Sequence, residues 1–121
     1  MRYLLMICSD ENEEAKISPE AMGELMQGYG QLETELRESN CFIGSERLQP
    51  ISTSTTIRVR GGETLTTDGP FAETKEQFGG YYLIEAADLD AAISWAEKIP
   101  TVNYGSVEIR PIWDEADAGG Q

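Results

Sequence analysis

Two short segments of this chain are apolar at every position, and they constrain the fold most strongly. They are Tyr3–Cys8 (Tyr-Leu-Leu-Met-Ile-Cys) and Tyr81–Ile84 (Tyr-Tyr-Leu-Ile). Because the side chains of a strand alternate between the two faces of its sheet, an uninterrupted apolar segment predicts a strand covered on both faces. A short buried helix is the alternative for Tyr3–Cys8. At 121 residues the chain has the length of one domain, so we expect a second copy to supply one of the two covers, in a homodimer.

Two segments have the periodicity of amphipathic helices. The first begins at Ser18-Pro19, because serine caps free backbone N–H groups and proline at the first position has no N–H to leave unpaired. Its apolar face comprises Met22, Leu25, Met26, Tyr29, Leu32 and Leu36. It also contains Gly23, Gly28 and Gly30, which destabilise a helix relative to alanine, and close packing against another backbone is one reason for them. The second helix begins at Asp88, ends before Pro100 and carries on one face Leu89, Ala92, Ile93, Ala96 and Ile99.

The remaining segments read as strands and loops around these helices. Strands are predicted over residues 42–48, 55–60, 64–67, 80–85 and 106–113, and a charged loop over 10–16. Alternation points Ile57 and Val59 inward, and Gly61-Gly62 predicts a tight hairpin turn. The order β-α-β-hairpin-β-α-β predicts an α+β fold, the ferredoxin-like split βαβ plan with an extra β-hairpin. In this interpretation residues 1–113 form one domain, and the acidic, glycine-rich residues 114–121 form a flexible tail.

The charge of the chain disfavours several classes of partner. Asp and Glu outnumber Lys and Arg by 22 to 9, which gives a net charge of -13. Nucleic-acid backbones and anionic membrane surfaces are disfavoured, because binding to them needs clustered basic residues. The acidity is typical of a soluble, self-repelling protein, and a cationic protein partner is the alternative explanation.

The side-chain inventory limits the chemistry that is available. The chain has no histidine, which removes the Ser-His-Asp and Cys-His schemes and the commonest ligand of zinc, copper and iron. Cys8 and Cys41 form no metal or redox motif, so we expect no metal and no cofactor. Reduced cysteines, no signal peptide and no apolar segment of membrane-spanning length together predict a cytoplasmic protein.

The polar loop Thr67–Gln77 (Thr-Asp-Gly-Pro-Phe-Ala-Glu-Thr-Lys-Glu-Gln) is the first place to look for function, because it leads directly into an apolar strand. Asp68 is the candidate catalytic residue: held in a cleft, it would act as an acid, a base or a hydrogen-bond acceptor. The alternative is that Asp68-Gly69-Pro70 forms a rigid turn that holds the Phe71 ring in the core.

The candidate ligand-binding residues are Tyr29, Asp68, Phe71, Lys75 and Tyr81. Lys75 either recognises an anionic ligand, with Glu73 or Glu76 setting its position, or is a solvated surface charge. Tyr29 and the tandem tyrosines are either core residues or lie along a cleft between the first helix and the sheet. Alternation sends Tyr81 and Tyr82 to opposite faces, so at most one of them shares a pocket with Tyr29.

Three arginines on predicted strands, Arg58, Arg60 and Arg110, also have two interpretations. In so acidic a chain they are expected to pair with glutamates across strands. An arginine buried in a cleft between two copies would instead bind an anion.

These motifs resemble the YciI-related, or DGPF-motif, family of small bacterial proteins. The resemblance is carried by residues 1–7, 18–20, 68–76, 79–82 and 107–112, and so extends over the chain as far as Trp113. It implies a ferredoxin-like fold that dimerises into an α/β-barrel-like body with a cleft near the sheet. It also implies a cytoplasmic protein that is often encoded beside an extracytoplasmic-function sigma factor. Some members of the wider superfamily have a His-Asp pair proposed to act as acid and base, and a chain without histidine does not inherit that activity.

Three hypotheses for function remain. The preferred one is a small-molecule binding module with a concave, partly apolar pocket near Asp68 and Tyr29. The second is a histidine-free enzyme that uses Asp68 together with Lys75 or a tyrosine, and it requires Asp68 to be partly buried. The third is a regulatory partner of a sigma factor, which rests on the family context and the acidic surface.

Overall fold

The computed structural model describes residues 1–114. The predicted acidic tail therefore lies outside the described residues except for Asp114. The six strands are β1 (Arg2–Ser9), β2 (Phe42–Arg47), β3 (Thr55–Arg60), β4 (Glu63–Asp68), β5 (Gln77–Glu85) and β6 (Ser106–Pro111). The three helices are α1 (Glu11–Glu14), α2 (Pro19–Glu38) and α3 (Leu89–Ala96), and short 3-10 turns lie at Ile51–Thr53 and Pro100–Asn103.

Four of the strands form one antiparallel sheet in the order β2-β5-β1-β6. Helix α2 lies between β1 and β2 in the chain, and α3 lies between β5 and β6. This order of elements confirms the predicted α+β fold and is compatible with the ferredoxin-like plan. The two central strands, β1 and β5, are the two uninterrupted apolar segments of the sequence. The strand interpretation of Tyr3–Cys8 is therefore confirmed over the alternative of a short helix.

The core lies between α2, α3 and one face of this sheet. In β1, Tyr3 and Leu5 point toward the helices and lie opposite Ile84 and Tyr82 of β5. The buried apolar residues are Tyr3, Leu5, Leu32, Leu36, Tyr82, Ile84, Ala86, Ala92, Ala96 and Ile99. Burial of one such Leu or Ile side chain contributes about 1.5–3 kcal/mol, so this layer holds the helices on the sheet.

The other face of the sheet, which we call the outer face, is also apolar at its centre. Leu4 lies opposite Leu83, and Met6 lies opposite Tyr81. These four side chains and that of Cys8 are partly exposed. The described residues thus provide a helical cover for one face of the central strands only.

The β3–β4 hairpin forms a separate two-stranded sheet, and every residue of β4 is exposed. The turn at Gly61-Gly62 is confirmed, and both glycines have the positive φ that such a turn requires. The inward orientation of Ile57 and Val59 is wrong, since they are 65% and 59% exposed. Alternation correctly places them on one face of the hairpin, but no core lies against that face.

Three further expectations differ from the structure. The segment expected to be a charged loop contains the short helix α1, because the Asp10 side chain accepts a hydrogen bond from the backbone N–H of Asn12 and caps it. The ring of Phe71 is not in the core, since it is 79% exposed. Helix α3 ends at Ala96, and Ile99 is therefore buried beyond the helix end and not on its face. Leu89 and Ile93, which were also expected on the buried face, are exposed.

The caps of the two longer helices are confirmed. Ser18 accepts a hydrogen bond from the N–H of Ala21, and Pro19 is the first helical residue of α2. Asp88 accepts a hydrogen bond from the N–H of Ala91 at the start of α3. Each of these side chains satisfies a backbone donor that the helix itself leaves unpaired, which stabilises the helix by about 1 kcal/mol.

The three glycines of α2 do not share one explanation. A Cβ atom on Gly28 would lie 2.8 Å from Cγ of Pro100, so this glycine permits close approach of the turn at Pro100–Asn103. A Cβ atom on Gly23 or Gly30 would meet nothing within 4 Å. Close packing therefore accounts for Gly28 alone.

Alanine substitutions in α2 should separate these roles. Gly30→Ala should raise the free energy of unfolding by about 0.5–1 kcal/mol, because alanine favours the helix and open space surrounds the position. Gly28→Ala should lower it by about 1–3 kcal/mol, because the rigid Pro100 ring must be displaced. Urea unfolding of both variants measures the difference. A destabilising Gly30→Ala would mean that something covers this side of α2.

Candidate functional site

A cavity of about 480 Å³ lies between the first half of α2 and the sheet. Its apolar wall is provided by Met22, Leu25 and Met26 of α2. Its remaining walls come from the ends of β1 and β2, the beginning of β5, α1, and the chain around Pro100–Asn103. The residues of these walls include Glu11, Glu14, Tyr29, Glu46, Arg47, Gln77, Gly80, Tyr82, Thr101 and Tyr104.

The cavity arises where the inward row of β5 changes from large side chains to glycine. Ile84, Tyr82 and Gly80 follow one another on the face of the sheet that packs against the helices. A Cβ atom on Gly80 would lie 2.9 Å from the backbone oxygen of Glu46, so the close pairing of β2 with β5 requires glycine here. The packed core therefore ends at Tyr82, and the space beyond it remains open under α2.

Hydroxyl groups line one wall of the cavity in a connected series. The Tyr29 hydroxyl is hydrogen-bonded to Oγ1 of Thr101, which lies 3.5 Å from the Tyr104 hydroxyl. The Tyr104 hydroxyl donates to Oε1 of Glu14 at 3.3 Å. Thr101 is a buried polar residue, 1% exposed, so its hydrogen bonds hold the series in place within the interior.

Tyr82 joins this series through Tyr29. The two rings are stacked, with centroids 6.3 Å apart and planes 13° from parallel. The Tyr82 hydroxyl donates to the backbone oxygen of Tyr29 at 3.4 Å. The stacked rings separate the core from the cavity and present one aromatic edge to it.

The phenols of the cavity are held in their neutral form. Burial raises the pKa of Tyr82 to about 12, and the negative charges that Tyr29 and Glu33 would carry add to the effect. Burial also raises the pKa of Tyr29 and of Tyr104, although hydrogen bonds to Thr101 act in the opposite direction. A phenol is a hydrogen-bond donor as well as an acceptor at neutral pH, and the raised pKa values extend this behaviour to higher pH.

The charged residues of the lining are Glu11, Glu14, Glu46 and Arg47. Glu46 pairs with Tyr81 of the outer face and Arg47 with the inward Gly80, so two carboxylates and one guanidinium group lie on the cavity side of the sheet. Glu11 also fixes the local backbone, since Oε2 of its side chain accepts a hydrogen bond from the N–H of Ile51 at 3.0 Å. Its own N–H donates to Oε1 of Gln77 at 2.9 Å. These bonds connect α1 to the chain that leaves β2 and to the chain that enters β5. The excess of carboxylates gives the cavity the same sign of charge as the whole chain.

The structure separates the predicted site residues into two groups. Tyr29 and Tyr81 both border the cavity, although alternation puts the Tyr81 side chain on the opposite face of the sheet. The side chain that stacks on Tyr29 is that of Tyr82, whereas Tyr81 lies opposite Met6 on the outer face. Alternation thus correctly predicts that only one of Tyr81 and Tyr82 contacts Tyr29. That residue is Tyr82, whereas Tyr81 was the predicted ligand-binding residue.

The second group, Asp68, Phe71 and Lys75, is exposed and lies outside the cavity lining. Asp68 is the last residue of β4, and the turn after it is held at the base of the hairpin by a hydrogen bond from the N–H of Gly69 to the oxygen of Ser54. The loop reaches the cavity only at Gln77, where β5 begins. The structure therefore does not bring the predicted loop residues together with Tyr29.

Three residues of the hydroxyl-lined wall were not predicted from the sequence as site residues, namely Glu14, Thr101 and Tyr104. Glu14 was assigned to a charged loop, and the segment around Thr101 follows a helix-ending proline without any motif. The one signal was Tyr104, a tyrosine in an otherwise polar segment. Its position beside Tyr29 depends on a chain separation of 75 residues, which no local pattern encodes.

Within residues 1–114 there is no group of three or more Cys, Asp or Glu side chains arranged to hold a metal ion. None of the helices in that part of the chain combines the length and the apolar character needed to cross a membrane.

Comparison with known proteins places the chain in a wider group. A family model described as YCII-related domain matches residues 1–116. An uncharacterized protein of Rhizobium meliloti (strain 1021) is 36% identical over 114 residues, which cover 93% of this chain and 92% of that protein. The resemblance stated from the loop motif is confirmed by both comparisons.

The free energy of unfolding should fall as the pH rises from about 10 to about 12. Because the pKa of Tyr82 rises from 10.0 to about 12 on folding, the unfolded chain loses the phenolic proton first. The stabilisation that Tyr82 contributes is complete at pH values below its pKa in the unfolded chain. It is lost as the pH rises through its pKa in the folded chain. The free energy of unfolding of Tyr82→Phe should decline less over this pH range, and the difference from the parent protein should be on the order of 1–2 kcal/mol. Urea unfolding of both proteins at several pH values measures it, and parallel curves would contradict it.

Proposed function

Because the chain belongs to the YCII-related domain family, we propose that it is a small-molecule binding module whose ligand occupies the cavity under α2. The observation that carries this proposal is the hydroxyl-lined wall facing an apolar wall. Its volume of about 480 Å³ falls within the range typical of small-molecule pockets. The hydrogen bonds of Thr101 position the donors before any ligand arrives, which lowers the entropic cost of binding.

The proposed ligand is a neutral, planar and largely apolar molecule with a hydrogen-bond acceptor at one end. Met22, Leu25 and Met26 provide apolar contact, and the Tyr29–Tyr82 pair provides an aromatic edge. The Tyr29 hydroxyl supplies the donor, with Thr101 donating to it, because the Tyr104 hydroxyl already donates to Oε1 of Glu14. An anionic ligand is disfavoured, because the carboxylates of Glu11 and Glu14 outnumber the guanidinium group of Arg47 around the cavity.

The proposal does not assign an enzymatic activity. Acid–base chemistry by Asp68 required a partly buried carboxyl group, and Asp68 is exposed and outside the cavity lining. The sigma-factor link stays a prediction from the family resemblance, and no contact or charge arrangement of the described residues favours it specifically.

We further propose that the module is a homodimer formed through the outer face of the sheet. Leu4, Met6, Tyr81 and Leu83 form an apolar patch at the centre of this face, and they are partly exposed in one copy. Two identical patches of this kind bury each other in an isologous twofold interface. A stable interface requires about 800 Å² from each partner, which is the scale of a four-stranded sheet face.

Ligand binding is tested by protein-observed NMR with a panel of neutral aromatic amides, such as benzamide, and the matching carboxylates. The amides should shift the resonances of residues around the cavity, above all Leu25, Tyr29 and Thr101. The carboxylates should bind at least tenfold more weakly. Leu25→Trp should abolish the shifts, because the larger side chain fills the cavity.

Gln27→Trp is the matched control, since it adds the same side chain to an exposed position of α2 outside the cavity lining. It should bind the amides like the parent protein. Shifts that survive Leu25→Trp, or that map outside the cavity, would count against the proposed site. Preferential binding of the carboxylates would instead assign Arg47 as the recognition group and reject the neutral ligand class.

The homodimer is tested through the two cysteines of the chain. Cys8 lies on the outer face, whereas Cys41 packs beside the core. The rate of Cys8 alkylation by iodoacetamide should fall several-fold as the protein concentration rises through the dimer dissociation constant, while the Cys41 rate stays constant. In Leu83→Lys the Cys8 rate should no longer depend on concentration, and light scattering should give the monomer mass. A monomeric parent protein at micromolar concentration would reject the homodimer.

A further inference from the structure

An open groove lies beside the cavity under α2, on the other side of Tyr104. The volume of the groove is about 520 Å³, and Leu25 and Tyr104 line both spaces. The other residues that line the groove are Glu13, Ile17, Ala21, Glu24 and Pro100. Leu25 and Tyr104 therefore separate a cavity and a groove of similar size.

The side chain of Tyr104 spans the boundary between the two spaces. Its hydroxyl group donates to Oε1 of Glu14 in α1 at 3.3 Å. Glu14 lines the cavity, whereas its neighbour Glu13 lines the groove, so α1 stands at the same boundary. Tyr104 is 43% exposed, which leaves part of it open to solvent on the groove side. The ring and its hydrogen bond thus close the cavity toward the groove.

The backbone that carries this ring is fixed. The N–H groups of Tyr104 and Gly105 both donate to the backbone oxygen of Thr101, at 3.1 Å and 2.7 Å. A Cβ atom on Gly105 would overlap the backbone oxygen of Cys8, so the chain after Tyr104 lies directly against β1. The boundary is therefore opened by removing or rotating the Tyr104 side chain and not by moving the chain.

We infer that Tyr104 determines the specificity of the cavity, because its ring excludes ligands whose polar end carries a long apolar tail. This inference rests on the proposed function, in which the Tyr29 hydroxyl donates to an acceptor on the ligand. Thr101 is hydrogen-bonded to Tyr29, and its Oγ1 lies 3.5 Å from the Tyr104 hydroxyl. A substituent attached next to the acceptor of the ligand therefore points toward the Tyr104 ring.

The groove has the chemistry to hold such a tail once the ring is removed. Ile17, Ala21 and Leu25 provide apolar contact, and the carboxylates of Glu13 and Glu24 are exposed. Each methylene group of an alkyl tail that becomes buried should raise the affinity about fourfold. In the parent protein this gain should stop at the length at which the tail reaches Tyr104.

The test is a protein-observed NMR titration with benzamide and its N-butyl and N-octyl derivatives. The parent protein should bind N-octylbenzamide no more tightly than N-butylbenzamide. Tyr104→Ala should bind the octyl compound at least tenfold more tightly than the butyl compound, with new shifts at Ala21 and Glu24. Because each ratio is taken within one protein, a general loss of affinity in Tyr104→Ala cancels.

Two control variants isolate the ring. Tyr104→Phe keeps the ring and should retain the parent ratio within threefold. Val102→Ala truncates an apolar side chain of the same turn outside both linings, and it should also retain the parent ratio.

The outcomes separate this inference from the proposed function. If benzamide binds in the cavity but the octyl-to-butyl ratio is the same in the parent protein and in Tyr104→Ala, Tyr104 does not set the limit and the inference is wrong, while the binding module stands. A tenfold ratio in the parent protein or in Tyr104→Phe overturns it as well. If none of the three amides binds to the parent protein or to Tyr104→Ala, the proposed function is rejected and the inference with it.

Discussion

The antiparallel pairing of β1 with β5 is the interaction on which the rest of the structure depends. It places Tyr3 and Leu5 against Ile84 and Tyr82, and this layer is the surface on which α2 and α3 pack. The same pairing gives the outer face its apolar centre. Where the inward row of β5 reaches Gly80, the layer ends and the cavity begins. Core, cavity and outer face are therefore three consequences of one strand pair.

The cavity joins a fixed polar wall to an apolar one. Thr101 is central to the polar wall, because it is buried and bonded to Tyr29 while lying beside Tyr104. Burial raises the pKa of Tyr29 and of Tyr104 above the ordinary value of 10.0, and phenols are neutral at physiological pH already at that ordinary value. A rigid set of neutral donors in an acidic surrounding favours uncharged ligands over anions, which is the basis of the proposed ligand class.

Two parts of the molecule present more apolar surface than one copy covers, and they are joined at the beginning of β5. The outer face is apolar on strands that the sequence makes apolar throughout, and the β3–β4 hairpin with the loop after it holds Ile57, Val59 and Phe71 in solvent. The proposed homodimer buries apolar surface at the sheet, in a chain whose net charge otherwise opposes association.

The sequence by itself determined the strands, the two longer helices, their order and the caps of those helices, because strand alternation, helical periodicity and residues such as Ser18, Pro19 and Asp88 act locally. It did not indicate the short helix α1. It also determined the family, through the loop that begins at Asp68. It did not determine which apolar residues are buried: Ile57 and Val59 alternate as a strand should, yet no core lies against them, since alternation describes a face and not what covers it. Only the tertiary structure placed Tyr104 and Thr101 beside Tyr29, and Asp68 away from them, because these distances depend on how α2 crosses the sheet and on packing between residues far apart in the chain.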